Sequence, residues 1–165
     1  NIGTGTQTEF EVRTTLPLDR LGVPGGRLIA RVAHRETEIE DPLTGETHRF
    51  SGDDGFGCGV TFTQDLDGGR WSWGGNHGCD MDAGTSYRIR EVRFTDNEPQ
   101  FNLFVQWKPT PDLTLRVDAA NLTDMEQWRQ RDIYSGPRNT APLAYRETYS
   151  QTRGSWLFLQ IRKTL

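Results

Sequence analysis

Four residues in the C-terminal third, Arg129, Arg131, Tyr134 and Arg138, are the side chains best suited to hold a ligand. Guanidinium groups grip carboxylates and phosphates through paired, charge-assisted hydrogen bonds, and an aromatic ring adds a stacking surface for a sugar. The same four groups could instead form ion pairs between neighbouring loops. Catalysis has less to work with. The chain contains no Gly-Lys-Ser/Thr, Gly-x-Ser-x-Gly or His-Glu-x-x-His sequence, so no enzyme, no catalytic residue and no cofactor is expected. His34, His48 and His77 are too scattered for a metal site. Asp80 and Asp82 lack the remaining ligands of a calcium loop, so no metal is expected either. Cys58 and Cys79 have neither CxxC spacing nor a nearby His, which leaves one disulfide or two thiols.

The elements that must position these groups are strands. Apolar and polar residues alternate along most of the chain, and helical spacing is hard to find. Phe10, Val12, Thr14 and Leu16 share one face against Glu9, Glu11 and Arg13. Leu28, Ala30 and Val32 repeat the pattern against Arg27, Arg31 and Arg35. Phe101, Leu103, Val105 and Trp107 form another such row, as do Leu113, Leu115, Val117 and Ala119. The last row contains Leu157, Leu159, Ile161 and Leu165. Pro99 interrupts any strand continuous with Tyr87 to Phe94.

Asp67-Gly68-Gly69-Arg70 reads as a hairpin with Gly at both central positions. Register follows, pairing Leu66 with Trp71, Gln64 with Trp73, Phe62 with Gly75 and Val60 with His77. The next pair is Cys58 and Cys79, so a cross-strand disulfide is expected. Thr61, Thr63, Asp65, Ser72 and Gly74 line the polar face of this hairpin.

Connections alternate in length: short near 18–26, 67–70 and 108–112, long near 36–56, 78–98 and 121–153. Short turns at one end and long loops at the other are the layout of an antiparallel transmembrane β-barrel, with about seven up-and-down strands here, short periplasmic turns and long extracellular loops. A soluble β-sandwich shares the alternation, with one face in a core and one in water. The regular length asymmetry favours the barrel, as do polar faces holding Arg31, Asp65, Arg116 and Asp118, which suit a wet lumen. Trp71 and Trp107 lie beside short turns, where an aromatic girdle is expected.

With 165 residues the chain is sized for one domain. Hydrophobic residues make up 33%, yet aromatics reach 10%, more than a disordered chain would hold. No apolar run is long enough for a transmembrane helix, a test to which membrane strands are invisible. The net charge of -4, with basic residues scattered among acidic ones, argues against nucleic acid as a partner. Seven strands leave two unpaired edges, and Asn1 is not an initiator methionine, so the chain is expected to be a section of something longer.

Specific tracts carry a resemblance. They are Leu16-Pro17-Leu18-Asp19 with Leu21-Gly22, Asp41-Pro42-Leu43-Thr44-Gly45-Glu46, Phe62-Thr63-Gln64-Asp65-Leu66 and Trp71-Ser72-Trp73-Gly74. The most telling is Leu113-Thr114-Leu115-Arg116-Val117-Asp118-Ala119-Ala120-Asn121-Leu122-Thr123-Asp124, followed by Tyr134-Ser135-Gly136-Pro137-Arg138. In order and spacing the sequence resembles the C-terminal part of the barrel of TonB-dependent receptors, across residues 1–165. The resemblance implies the Gram-negative cell outer membrane and a parent barrel of about twenty-two strands. It also implies uptake of a scarce small ligand by that parent. The implied partners are outer-membrane lipid, TonB, and the plug domain and N-terminal barrel strands, which are not in this sequence. Arg31, Arg116 and Asp118 would then meet the plug or one another. The family's last strand usually ends in Phe, where this chain has Leu165. The reading from another class is a secreted soluble β-sandwich that binds carbohydrate or protein through its long loops.

Overall fold

A computed structural model describes residues 4–53, 55–78 and 83–164. Its architecture is all-β and antiparallel, in two sheets. The alternating rows of the sequence become β1 (Gly5–Pro17), β2 (Gly26–Glu40), β4 (Phe56–Leu66), β5 (Trp71–Gly78), β8 (Gln100–Thr110), β9 (Leu113–Ala120) and β12 (Trp156–Lys163). These seven strands lie side by side in chain order, and the two-residue β3 (Thr47–His48) pairs with the far end of β2. The sheet does not close on itself: β1 and β12 are its two edges.

The long connections are not irregular loops. They contain β6 (Gly84–Tyr87), β7 (Glu91–Asn97), β10 (Glu126–Tyr134) and β11 (Leu143–Thr152), which form a second sheet ordered β11-β10-β7-β6. The alternation read over Tyr87 to Phe94 overlaps β7, whereas β10 and β11 are rich in Arg, Glu, Gln and Thr, pair polar residues across the sheet, and lack the apolar alternation that marks the first sheet. Pro99 falls between β7 and β8, where the chain passes from one sheet to the other.

Pairing carries the alternation across the whole first sheet. Val12 faces Val32, Val32 faces Cys58, Leu28 faces Phe62, Trp73 faces Val105, Val105 faces Val117 and Val117 faces Leu159. Since side chains alternate along a strand, these residues share one face. That face is open: Val105 is 50% and Leu159 71% exposed. Among the described residues the buried apolar side chains are Ala33, Ile39 and Met125, so no conventional core lies beneath either sheet.

The hairpin of β4 and β5 has the expected register, with Leu66 opposite Trp71, Gln64 opposite Trp73, Phe62 opposite Gly75 and Val60 opposite His77. Its turn is wider than two residues. Asp67, Gly68 and Gly69 all take positive φ, and the Arg70 N–H donates to the Asp67 carbonyl at 3.2 Å. Cys58 is in a disulfide, while Cys79 lies outside the described residues, as do Asp80 and Asp82.

Two glycines are required by close approach. Gly25 has φ +67 and sits where any Cβ would meet the Asp65 carbonyl oxygen, as the turn after β1 docks on the end of β4. Gly74 leaves room for the Phe104 ring on the polar face, and the Arg116 guanidinium lies 4.0 Å from the centre of that ring.

Candidate functional site

Beyond the far end of β2 the chain makes a tight turn. The Asp41 carboxylate accepts from the Leu43 N–H at 2.9 Å, and the Gly45 N–H donates to the Asp41 carbonyl at 2.8 Å. Asp, Pro and Gly in this order are turn residues for separate reasons: a side-chain acceptor, a fixed φ and, at Gly45, a φ of +73. The turn buries the Asp41 side chain to 3% exposure, and it is paired there with Arg138, itself 8% exposed.

Arg138 ties three segments together. Its guanidinium bonds Asp41, its Nε donates to the Arg88 carbonyl at 2.7 Å, and its backbone N–H donates to the Ile89 carbonyl at 2.9 Å. The next residue, Asn139, donates to the Leu43 carbonyl at 2.9 Å. His48 stacks on Tyr87 with ring centres 3.8 Å apart, its Nε2 lies 3.5 Å from Asp41 Oδ2, and Arg138 lies 5.4 Å from the Tyr87 ring.

These groups wall a cavity of about 1120 Å³. Its apolar lining includes Ile39, Pro42, Leu43, Phe50, Tyr87 and Ile89, and its charged rim includes Arg88 and Arg90. Burial works to raise the Asp41 pKa, but the Arg138 hydrogen bond and the Leu43 and Thr44 backbone donors outweigh it together, holding Asp41 below the ordinary carboxylate range.

A second cluster lies on β10. Arg131 donates from Nε to Glu91 at 3.1 Å and from Nη1 to Glu147 at 2.8 Å, bridging β7, β10 and β11. The Arg131 hydrogen bond, joined by Arg93, keeps Glu91 below its ordinary pKa against the opposing effect of burial. Arg129 shares the face of Arg131 in a smaller cavity of about 300 Å³ with Gln127, Tyr149 and Gln151, and its buried Nε lacks a hydrogen-bond partner among the described residues. On the other face of β10, Asp132 is gripped by Arg146 at 2.6 and 2.7 Å, which lowers its pKa.

Of the four ligand candidates read from sequence, Arg138 reaches the large cavity and Arg129 and Arg131 share the small one. Tyr134 is on the opposite face of β10 from these two, and its backbone N–H donates to the Arg90 carbonyl at 2.9 Å. Arg131 and Arg138 are both engaged in ion pairs between segments.

Arg31, Asp65, Arg116 and Asp118 all lie on the polar face of the first sheet. Arg31 pairs with Glu11 at 2.9 Å, Asp65 accepts from the Ser72 hydroxyl at 2.6 Å, and Arg116 grips Asp118 at 2.6 to 2.9 Å. His77 Nδ1 is 3.1 Å from the Gln100 carbonyl and His34 is 3.5 Å from Glu36. No group of three or more metal-binding side chains occurs among the described residues.

Sequence reading missed Asp41, His48 and Tyr87 as a unit. The Asp41-Pro42-Leu43-Thr44-Gly45 turn was legible, but nothing in it announces that its carboxylate is buried against Arg138. No family model matches the chain, and neither a curated protein nor a solved structure matches it.

Proposed function

We propose that this chain is a C-terminal section of the β-barrel of a TonB-dependent receptor in a Gram-negative outer membrane, whose full-length parent imports a scarce ligand. The observation that carries the reading is the open apolar face, seven strands wide, backed by a polar face of ion pairs and amide hydrogen bonds. A soluble protein rarely leaves so large an apolar surface bare, whereas lipid covers such a surface at no cost in desolvation. Trp71 and Trp107, stacked with ring centres 5.3 Å apart, lie at the short-turn end, where an interfacial aromatic girdle belongs.

The two open edges support the same reading. A transmembrane sheet must have every backbone group paired, so β1 and β12 require partner strands from the rest of the parent. The polar face, with Arg31, Asp65, Arg116 and Asp118, would then look into the lumen toward the plug. The second sheet would extend outside the membrane on the long-loop side, holding the cavity beside Arg138 and Asp41 in reach of a ligand. Energy would come through TonB acting on the plug.

Membrane fractionation tests this. An antibody to the 129–153 segment should detect a product several times heavier than this chain in the outer-membrane fraction. A product of this chain's own mass in the soluble fraction would overturn the reading in favour of a secreted sandwich, whose second sheet would have to cover the same face.

A further inference from the structure

We infer that the large cavity binds an amphiphilic anion: a molecule with a flat apolar body and a sulfonate, carboxylate or phosphate group, held by Arg88 and Arg90 above the apolar floor. The β6–β7 turn that presents these residues is clamped through its backbone. The Arg88, Ile89 and Arg90 carbonyls accept from Arg138 Nε, the Arg138 N–H and the Tyr134 N–H, and the Arg88 N–H donates to the Glu91 carbonyl at 2.8 Å. The turn's three carbonyls are therefore occupied while its side chains are not. Neither the Arg88 nor the Arg90 guanidinium has a hydrogen bond, ion pair or ring contact among the described residues, and Ile89 between them is 64% exposed.

The other charges lining the cavity are mostly neutralised within the protein. Asp41 is taken by Arg138, and Glu91 by Arg131 and Arg93. Glu40 is the one carboxylate of the lining without a partner among the described residues, so unpaired cations exceed unpaired anions by two to one. An anion at the rim satisfies the two guanidiniums without breaking an existing pair. The volume of about 1120 Å³ exceeds the need of an inorganic ion, and walls of Ile39, Pro42, Leu43 and Phe50 with the Tyr87 ring suit a planar apolar body. Free guanidiniums on a rigid turn lose little on binding, because the backbone that carries them is already ordered.

The inference rests on the receptor reading in taking the cavity as the ligand's entry side, so the test separates the two. The probe is naphthalene-2-sulfonate, titrated into the intact protein that carries this chain, purified in detergent. Neutral naphthalene-2-methanol and inorganic sulfate are titrated alongside, and R88Q/R90Q is compared with the parent. The expected result is naphthalene-2-sulfonate binding that exceeds both controls and falls at least tenfold in R88Q/R90Q, while binding of the neutral naphthalene-2-methanol is unchanged. Sulfonate binding indifferent to R88Q/R90Q, or matched by inorganic sulfate, overturns the inference. Both side chains are exposed and unpaired, so the variant should keep the parent's strand content by circular dichroism. Flotation of the same preparation with lipid vesicles reads the receptor proposal separately. A protein that floats but shows no Arg-dependent binding refutes the ligand class alone, and one that binds but stays out of vesicles refutes the membrane reading alone.

Discussion

Arg138 and Asp41 stand 97 residues apart in the chain and form an ion pair with both side chains buried. The pair joins the turn after β2 to the segment between β10 and β11, and through the Arg88 carbonyl it also holds the β6–β7 turn. Removing one partner leaves a buried charge uncompensated, which costs about 3–5 kcal/mol. D41N and R138Q should each expose residues 41–50 and 134–142 to limited proteolysis, and R138K should not rescue, because one ammonium cannot reproduce the Nε and Nη geometry. Unchanged cleavage in D41N would show that the pair does not hold the segments together.

The second sheet should loosen in acid. Glu91 and Asp132, like Asp41, have pKa values below their ordinary ones in the folded protein. A depressed folded value means the stabilisation is complete above the unfolded pKa, about 4 for carboxylates, and is lost as pH falls through the folded value. Amide exchange of β7 and β10 should be slow at pH 6 and accelerate below about pH 4, relative to the intrinsic rate. E91Q and D132N should flatten that dependence; an unaltered profile in both would refute the assignment.

Asn121 should tolerate replacement poorly. It is fully buried, with φ +55, a left-handed conformation that Asn adopts more readily than most residues. Its amide donates to the Gly154 carbonyl at 2.7 Å, its side-chain oxygen accepts from the Met125 N–H at 2.9 Å, and its own N–H donates to Asn102 at 2.8 Å. N121A strands the buried Met125 N–H, at about 1–3 kcal/mol, while the Gly154 carbonyl belongs to an exposed residue that water can reach. Denaturant unfolding should therefore register a loss of roughly 1–3 kcal/mol for N121A, and an unchanged midpoint would refute the role given to the Asn121 side chain.

The two faces of β8 should respond oppositely to charge if one meets lipid. V105R places a guanidinium on the apolar face, where a mid-membrane position costs about 2–4 kcal/mol, whereas Q106R faces the polar side. Unfolding from lipid vesicles should show V105R destabilised and Q106R near the parent. Equal effects would count against a lipid-facing surface.

Oxidation at Cys58 predicts that a maleimide reagent leaves the unreduced protein unlabelled and adds two labels after reduction. Labelling of both cysteines without reductant would exclude the disulfide.

The sequence alone determined the seven strands of the first sheet, their shared apolar face and the β4–β5 register. Each depends on short-range alternation, and a one-residue slip would turn every side chain to the wrong face. Polarity also located the connections, but not their content. The alternation over Tyr87 to Phe94 was legible and overlaps β7, but β10 and β11 are held by cross-strand ion pairs such as Arg131 with Glu91 and Glu147, which leave no period-2 apolar signature to read. Only the tertiary structure decided that Asp41, His48, Tyr87 and Arg138 converge. Those contacts join residues far apart in the chain, and side-chain type and local spacing carry no information about which distant carboxylate a given guanidinium will meet.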